Sequence, residues 1–154
     1  CSSDLGLVVS AGQATVTVLA LRPFTGAAAG SADSAEENDS SLVVRVETGG
    51  LRMIVGGDVE EAGQSAAVAT VADLRADVLL VPHHGSGHQL PAFLQAVGAR
   101  VALFSVGLDN DYGHPAARTV SAVTATGARS FRTDREGSAA VWLDAGQLVV
   151  TTQR

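Results

Sequence analysis

Two adjacent histidines are the residues of this sequence best suited to chemistry. His83 and His84 follow the apolar run 78–81 and a proline, and a glycine and Ser86 come directly after them. The run predicts a buried strand, so the two imidazoles lie at its carboxyl end, where α/β folds place reactive groups. Because adjacent side chains point in different directions, one histidine can reach a metal ion while the other orients it or contacts substrate.

Two other predicted strands end in polar groups in the same way. Asp58 follows an apolar run and two glycines, and the run 103–106 leads toward Asn110, Tyr112 and His114. Asp58 has two compatible roles, since a carboxylate at a strand end can cap the next helix and also bridge metal ions. His114 lies between a glycine and a proline at a predicted helix start, a position that favours an anionic substrate.

The remaining polar candidates carry weaker signals. His88 lies in a polar segment and is predicted to be a solvated surface residue. Asn38 and Asp39 are predicted to cap or turn into the next strand, although Asn38 can also reach the site. Ser86 has no accompanying base and orienting acid in the sequence, so a serine-hydrolase mechanism is not expected.

Composition limits the classes of protein that fit. The chain has 154 residues, of which 46% are hydrophobic, enough for one core and a single domain. No window approaches the roughly 18 to 20 apolar residues of a membrane span. The net charge of −6 argues against a general nucleic-acid coat, but it allows a metal site that handles phosphates. The single Cys1 excludes an internal disulfide and a cysteine-rich metal cluster.

Hydrophobic periodicity predicts strands and helices that position these residues. The segment 25–39 is rich in Gly, Ala, Ser and acids, which predicts a mobile surface loop. A hairpin signature at residues 48–50 joins two strands. Helices are expected over 60–74, 91–97 and 116–126. Strands are expected over 5–9, 14–20, 41–46, 51–55, 78–81, 101–106, 130–132, 139–143 and 148–151.

Five ordered blocks of the sequence resemble the metallo-β-lactamase-type domain of ComEC-like competence proteins, over about residues 14–143. The resemblance implies an α/β fold, a metallo-β-lactamase-like αββα sandwich, of which this chain forms the second half with a mixed sheet and flanking helices. The blocks are NDSSLV at 38–43, VGGDVE at 55–60, ADVLLVPHHGS at 76–86, SVG at 105–107 with Asn110 and YGHP at 112–115, and RTD at 132–134 with Gly137.

The resemblance also implies roles for single residues. Asp58 becomes a bridging metal ligand, and His83 or His84 becomes the late histidine ligand. A mixed histidine and carboxylate site suits Zn²⁺ or Mn²⁺, and two such ions assist phosphodiester hydrolysis through metal-bound water. The predicted catalytic residues are Asp58, His83, His84 and His114, and the predicted substrate contacts are Ser86, Asn110, Tyr112 and His114.

One departure from the family pattern concerns the histidines. The family carries a cluster of the form His-x-His-x-Asp-His in its first half, whereas no histidine precedes His83 in this chain. Residues 1–154 are therefore expected to form a single partial domain, either because the sequence begins at a boundary or because the cluster and its activity are lost. Alone, the chain is expected to fold, bind metal poorly, lack nuclease activity and self-associate through an apolar sheet face.

Taken together, the residues and the resemblance predict part of a metal-dependent hydrolase domain. The expected activity is a DNA nuclease that acts on single-stranded DNA. The domain is expected to be attached to a polytopic membrane channel for DNA uptake in competence and transformation, on the extracytoplasmic side of a bacterial membrane. Two alternatives remain: another hydrolase of the same fold that acts on a lactone, thioester or nucleotide, and a non-catalytic module that binds a partner or stabilises the channel.

Overall fold

The computed structural model, which describes residues 5–23 and 33–154, contains one mixed seven-stranded sheet. The first four strands pair antiparallel, and the fourth to the seventh pair parallel. The predicted α/β class with a mixed sheet is therefore confirmed. The strands lie in the sheet in chain order: β1 (Val8–Ala11), β2 (Ala14–Ala20), β3 (Val43–Thr48), β4 (Leu51–Val55), β5 (Val78–Leu80), β6 (Val101–Phe104) and β7 (Arg129–Arg132).

Helical connections join the parallel strands and bring their carboxyl ends to one edge of the sheet. None of the described helices is long and apolar enough to cross a membrane. The last two strands pair in a separate hairpin. The remaining elements are α1 (Asp33–Asp39), α2 (Glu61–Thr70) before β5, α3 (Pro91–Val97) before β6, α4 (Ala117–Ala125) before β7, α5 (Thr133–Glu136), β8 (Ser138–Asp144) and β9 (Gln147–Gln153).

Both faces of the central strands are buried. Leu79 packs in the core that the helices cover, together with Phe93 and Phe104. Val78 points to the opposite face, where residues of the β8–β9 hairpin, including Val141, pack against it. This two-sided burial explains why β5 is a continuous apolar run instead of an alternating one.

The second face of the sheet also bears on the predicted self-association. The β8–β9 hairpin packs beside Leu51 and Val101 on that face, so the face is not uniformly open. Val16, Val44 and Val46 continue it on β2 and β3 and are half-buried. Self-association through these valines stays a prediction, as does the assignment of residues 1–154 to a single partial domain.

Most element predictions are confirmed, but several segments differ. The first strand, predicted over 5–9, lies at Val8–Ala11, and α5 was not predicted. Residues 33–39, predicted as part of a loop, form α1, while residues 25–32 lie outside the described residues. The helix predicted over 60–74 ends at Thr70, because Val71 already has extended backbone angles. Leu74 is instead buried in the core as part of the connection to β5.

The predicted cap of α2 by Asp58 is wrong, and the cap comes from Asp39. The buried carboxylate of Asp39 accepts hydrogen bonds from the backbone N–H groups of Gly63 at 2.8 Å and Glu60 at 3.1 Å. These amides at the start of the helix have no partner within it. Asp58 lies too early in the chain for this role, and its side chain is 48% exposed.

We expect Asp39→Ala to lower the free energy of unfolding by about 1–2 kcal/mol, because the first turn of α2 loses its acceptor. Asp58→Ala is the matched control and should change it by less than about 0.5 kcal/mol. Urea denaturation of both variants measures the difference. Equal losses in the two variants would contradict the assignment of the cap to Asp39.

Candidate functional site

The paired histidines lie in a left-handed turn directly after β5. The φ angles are 48° at His83, 52° at His84 and 80° at Gly85. Residues with a Cβ rarely adopt this region, and each costs about 1–2 kcal/mol there. The turn is held from outside, because the His83 N–H donates to the Gly57 carbonyl at 2.9 Å and the Ala116 N–H donates to the Gly85 carbonyl at 2.9 Å. The ends of β4 and β5 and the start of α4 are thereby tied together.

His84 has one ring nitrogen fixed and the other free. Its Nδ1 lies 2.8 Å from the carbonyl oxygen of Ser105, just after β6. A carbonyl oxygen only accepts, so Nδ1 carries the proton and neutral His84 has its lone pair on Nε2. Nε2 lies 3.9 Å from Oδ1 of Asp58, and both side chains are about half exposed. The pair therefore presents two electron-pair donors to a shared, solvent-accessible space.

His83 is bound differently, through a carboxylate that the sequence reasoning did not assign to the site. Its Nδ1 lies 2.8 Å from Oε1 of Glu60, whose side chain is only 13% exposed. The amide of Asn38 also contacts Glu60 at 3.5 Å, so Asn38 reaches the site through this carboxylate. Glu60 thus fixes the ring orientation of His83 and leaves its Nε2 for another contact. The sequence signal is the position of Glu60 two residues after Asp58, within the block VGGDVE at 55–60.

His114 completes a group of three imidazoles. Its ring centroid lies 5.4 Å from that of His83, and the rings of His83 and His84 are 6.3 Å apart. Burial lowers the pKa of His114, and the neighbouring rings of His83 and His84 lower it further. Asn110 holds the backbone of His114 by hydrogen bonds of 3.0 Å to its N–H and 2.9 Å to its carbonyl. The three histidines therefore lie together at one edge of the sheet, where the segments that follow β4, β5 and β6 contact them.

An open cavity of about 370 Å³ lies beside the histidines. It is lined by His84, His114, Asn110 and Tyr112, together with residues 105–107. Tyr112 is 85% exposed and stacks on His114 with the ring centroids 6.1 Å apart. The predicted substrate contacts of Asn110, Tyr112 and His114 lie together here and stay predictions.

Two predicted polar residues lie outside this cavity. Ser86 is 2% exposed, and its hydroxyl accepts a hydrogen bond from the His88 N–H at 3.3 Å. This placement gives Ser86 a structural contact within the loop, and a contact with substrate stays untested. The side chain of His88 is exposed, which agrees with the surface position expected from the sequence.

The described residues do not make up a complete metal centre. Among residues 5–23 and 33–154, no three His, Cys, Asp or Glu side chains converge to hold one ion. A catalytic zinc site uses three protein ligands, and a two-metal site uses more. Asp58 and His84 form a pair suited to one ion, since metal–oxygen and metal–nitrogen bonds are each about 2.0–2.2 Å long. His83 does not belong to this pair, because the carboxylate within 4 Å of its ring nitrogens is that of Glu60 and not that of Asp58.

We expect His114 to titrate below its ordinary pKa of 6.5. Since its folded pKa is lower than its unfolded one, its contribution to stability is complete above the unfolded value and is lost as the pH falls through the folded value. Asp58→Asn should lower the pKa further, because the carboxylate of Asp58 raises it. NMR titration of the ring protons measures both values, and a pKa of His114 at or above 6.5 would contradict the burial.

Comparison with known proteins agrees with the motif pattern. No protein-family model matches the chain. The chain is similar to ComE operon protein 3 of Bacillus subtilis (strain 168), with 37% identity over 107 residues, which cover 69% of this chain and 14% of that protein. It is also similar to competence protein ComA of Neisseria gonorrhoeae, with 35% identity over 105 residues, or 67% of this chain and 15% of that protein. The chain therefore spans about one seventh of the length of these relatives, and it is a homologue of a segment of ComEC-family competence proteins.

Proposed function

We propose that this chain acts in DNA uptake, as a part of a competence protein whose strand-end site handles the phosphodiester backbone of single-stranded DNA. The similarity to two competence proteins supports a role in DNA uptake. The position of the histidines at the carboxyl ends of parallel strands supports the location of the site. A membrane channel as partner and a place on the extracytoplasmic side belong to this proposal, because the family resemblance implies them.

The observation that carries the proposed chemistry is the pairing of Asp58 with His84. The Ser105 carbonyl fixes the tautomer of His84, so its Nε2 faces Oδ1 of Asp58 at 3.9 Å with a lone pair. Such a second contact behind a histidine is the usual arrangement for a metal ligand. We therefore assign metal binding to Asp58 and His84, with Zn²⁺ or Mn²⁺ as the ion and with further ligands from outside the described residues.

His83 has a separate role in this proposal. Glu60 holds its Nδ1, and its ring packs beside that of His114 at the edge of the cavity. Among the described residues, Glu60 is the only carboxylate within 4 Å of a ring nitrogen of His83, whereas Asp58 lies beside His84. We therefore assign His83 to substrate and not to the Asp58–His84 pair. The chain as a whole carries a charge of −6, so a bound cation would also supply the positive charge that a phosphate needs.

A non-catalytic module is the second candidate function, and the ligand count favours it. The described residues provide only the Asp58–His84 pair, which binds an ion weakly compared with a complete site. In that case the site would contact DNA or the rest of the protein without hydrolysis. The two candidates differ in whether Asp58 is needed for DNA cleavage.

We expect Zn²⁺ to shift the ring signals of His84 in this chain, with weak affinity because only two ligands are provided. Asp58→Ala and His84→Ala should abolish the shift. His83→Ala is the matched control and should keep it, since the ring nitrogen within 4 Å of Asp58 belongs to His84 and not to His83. NMR titration of the four proteins measures this, and metal binding that depends on His83 but not on His84 would contradict the assignment.

Cleavage of single-stranded DNA tests the function itself. In a full-length protein that contains this chain, Asp58→Ala should reduce metal-dependent cleavage at least about 100-fold, as expected for the loss of a catalytic metal ligand. The fold should remain, which circular dichroism checks. Cleavage that is unchanged in the variant would contradict the hydrolase proposal, and transformation that persists without any cleavage would favour the non-catalytic module.

A further inference from the structure

An arginine lies over the loop that carries the paired histidines. We propose that Arg118 binds a backbone phosphate of single-stranded nucleic acid beside this loop. The inference rests on the proposed function, because it takes single-stranded DNA as the ligand. It adds a substrate contact in α4 that neither the motif blocks nor the metal pair includes.

The first turn of α4 is fixed against the histidine loop by two hydrogen bonds. The Ala116 N–H donates to the Gly85 carbonyl at 2.9 Å, and the Thr119 hydroxyl donates to the Ser86 carbonyl at 2.6 Å. Both Thr119 and Ser86 are buried. Arg118 lies between the two anchored residues, so its backbone position relative to the histidines is set by the fold.

The guanidinium of Arg118 occupies the space that a side chain at residue 87 would fill. A Cβ built on Gly87 would overlap Nη2, Nε and Cζ of Arg118. The backbone of Gly87 is not in the left-handed region, so glycine is not required there for conformation. The physical effect of a glycine at this position is therefore to let the arginine lie against the loop.

Within the described part of the chain, Arg118 has no carboxylate partner. Its side chain is exposed, and no residue at 5–23 or 33–154 accepts a hydrogen bond from its guanidinium. A guanidinium with free donors binds phosphate through two parallel hydrogen bonds. In contrast, five other arginines lie within 4 Å of an Asp or Glu oxygen, namely Arg22, Arg45, Arg52, Arg100 and Arg132.

The surroundings favour a single strand as the ligand. Tyr112 and Arg118 lie three residues on either side of Pro115, which packs close to Gly85 in the histidine turn. The exposed ring of Tyr112 can stack on an unpaired base, and sites for single strands combine such aromatic surfaces with cations along the backbone. The carboxylates of Asp58 and Glu60 repel phosphate, and a guanidinium against the histidine loop offsets this repulsion.

Fluorescence anisotropy with a labelled single-stranded oligonucleotide, in EDTA and over a range of salt concentrations, tests the proposal on this chain. Arg118→Gln should weaken binding about three-fold to ten-fold and reduce the slope of log K against log salt by about 0.7, the value for one phosphate contact on a single strand. Arg75→Gln is the matched control. It removes the same charge from an exposed arginine that lines a groove with Asp73, Asp77 and Gly98, away from the histidines, and should leave the slope unchanged.

Gly87→Ala provides a second variant that keeps the charge. The new methyl group displaces the flexible guanidinium, so binding should weaken as in Arg118→Gln, and the double variant should be no weaker than either single one. Equal affinity of Gly87→Ala and the unaltered chain, or an equal effect of Arg75→Gln, would overturn the inference. Absence of salt-dependent binding by the unaltered chain would also overturn it. The assignment of metal binding to Asp58 and His84 is tested separately by the Zn²⁺ titration.

Discussion

The left-handed turn at His83 and His84 is the constraint on which the rest of the site depends. Two residues with a Cβ adopt positive φ in succession, at a cost of about 1–2 kcal/mol each. Such strain persists where the surrounding structure determines the backbone more than once. Here the Gly57 carbonyl accepts a hydrogen bond from the His83 N–H and the Ala116 N–H donates to the Gly85 carbonyl, so the segment after β4 and the start of α4 both stabilise the turn.

The turn directs two identical side chains to different partners. It directs Nδ1 of His84 to the carbonyl of Ser105 and Nδ1 of His83 to the carboxylate of Glu60. Either acceptor leaves a lone pair on Nε2 of a neutral ring. Of the two rings, however, it is His84 whose Nε2 lies 3.9 Å from Asp58. The different roles that we propose for the two rings thus depend on where each ring is directed, and both partners of Nδ1 are supplied by neighbouring strand ends of the parallel sheet.

Much of the fold, but less of the site, could be predicted from the sequence. The apolar runs and the glycine turn at 48–50 indicate the strands directly, whereas the metal role expected for Asp58 stays a prediction. The cap by Asp39 was missed because it acts on amides more than twenty residues away, which no local pattern reveals. The pairing of Glu60 with His83 was missed for a related reason, since it depends on a left-handed backbone that sequence rules reserve for glycine.

The tautomer of His84 tests the central claim most directly, because it depends on the turn, on Ser105 and on the direction of the ring together. Long-range ¹H–¹⁵N NMR spectra, recorded at a pH at which the imidazole of His84 is neutral, distinguish a protonated Nδ1 from a protonated Nε2. The account predicts that His84 carries its proton on Nδ1 and that Nε2 shows the chemical shift of an unprotonated nitrogen. A proton on Nε2 of His84 would contradict it, because that nitrogen would then have no lone pair to offer to a metal ion beside Asp58.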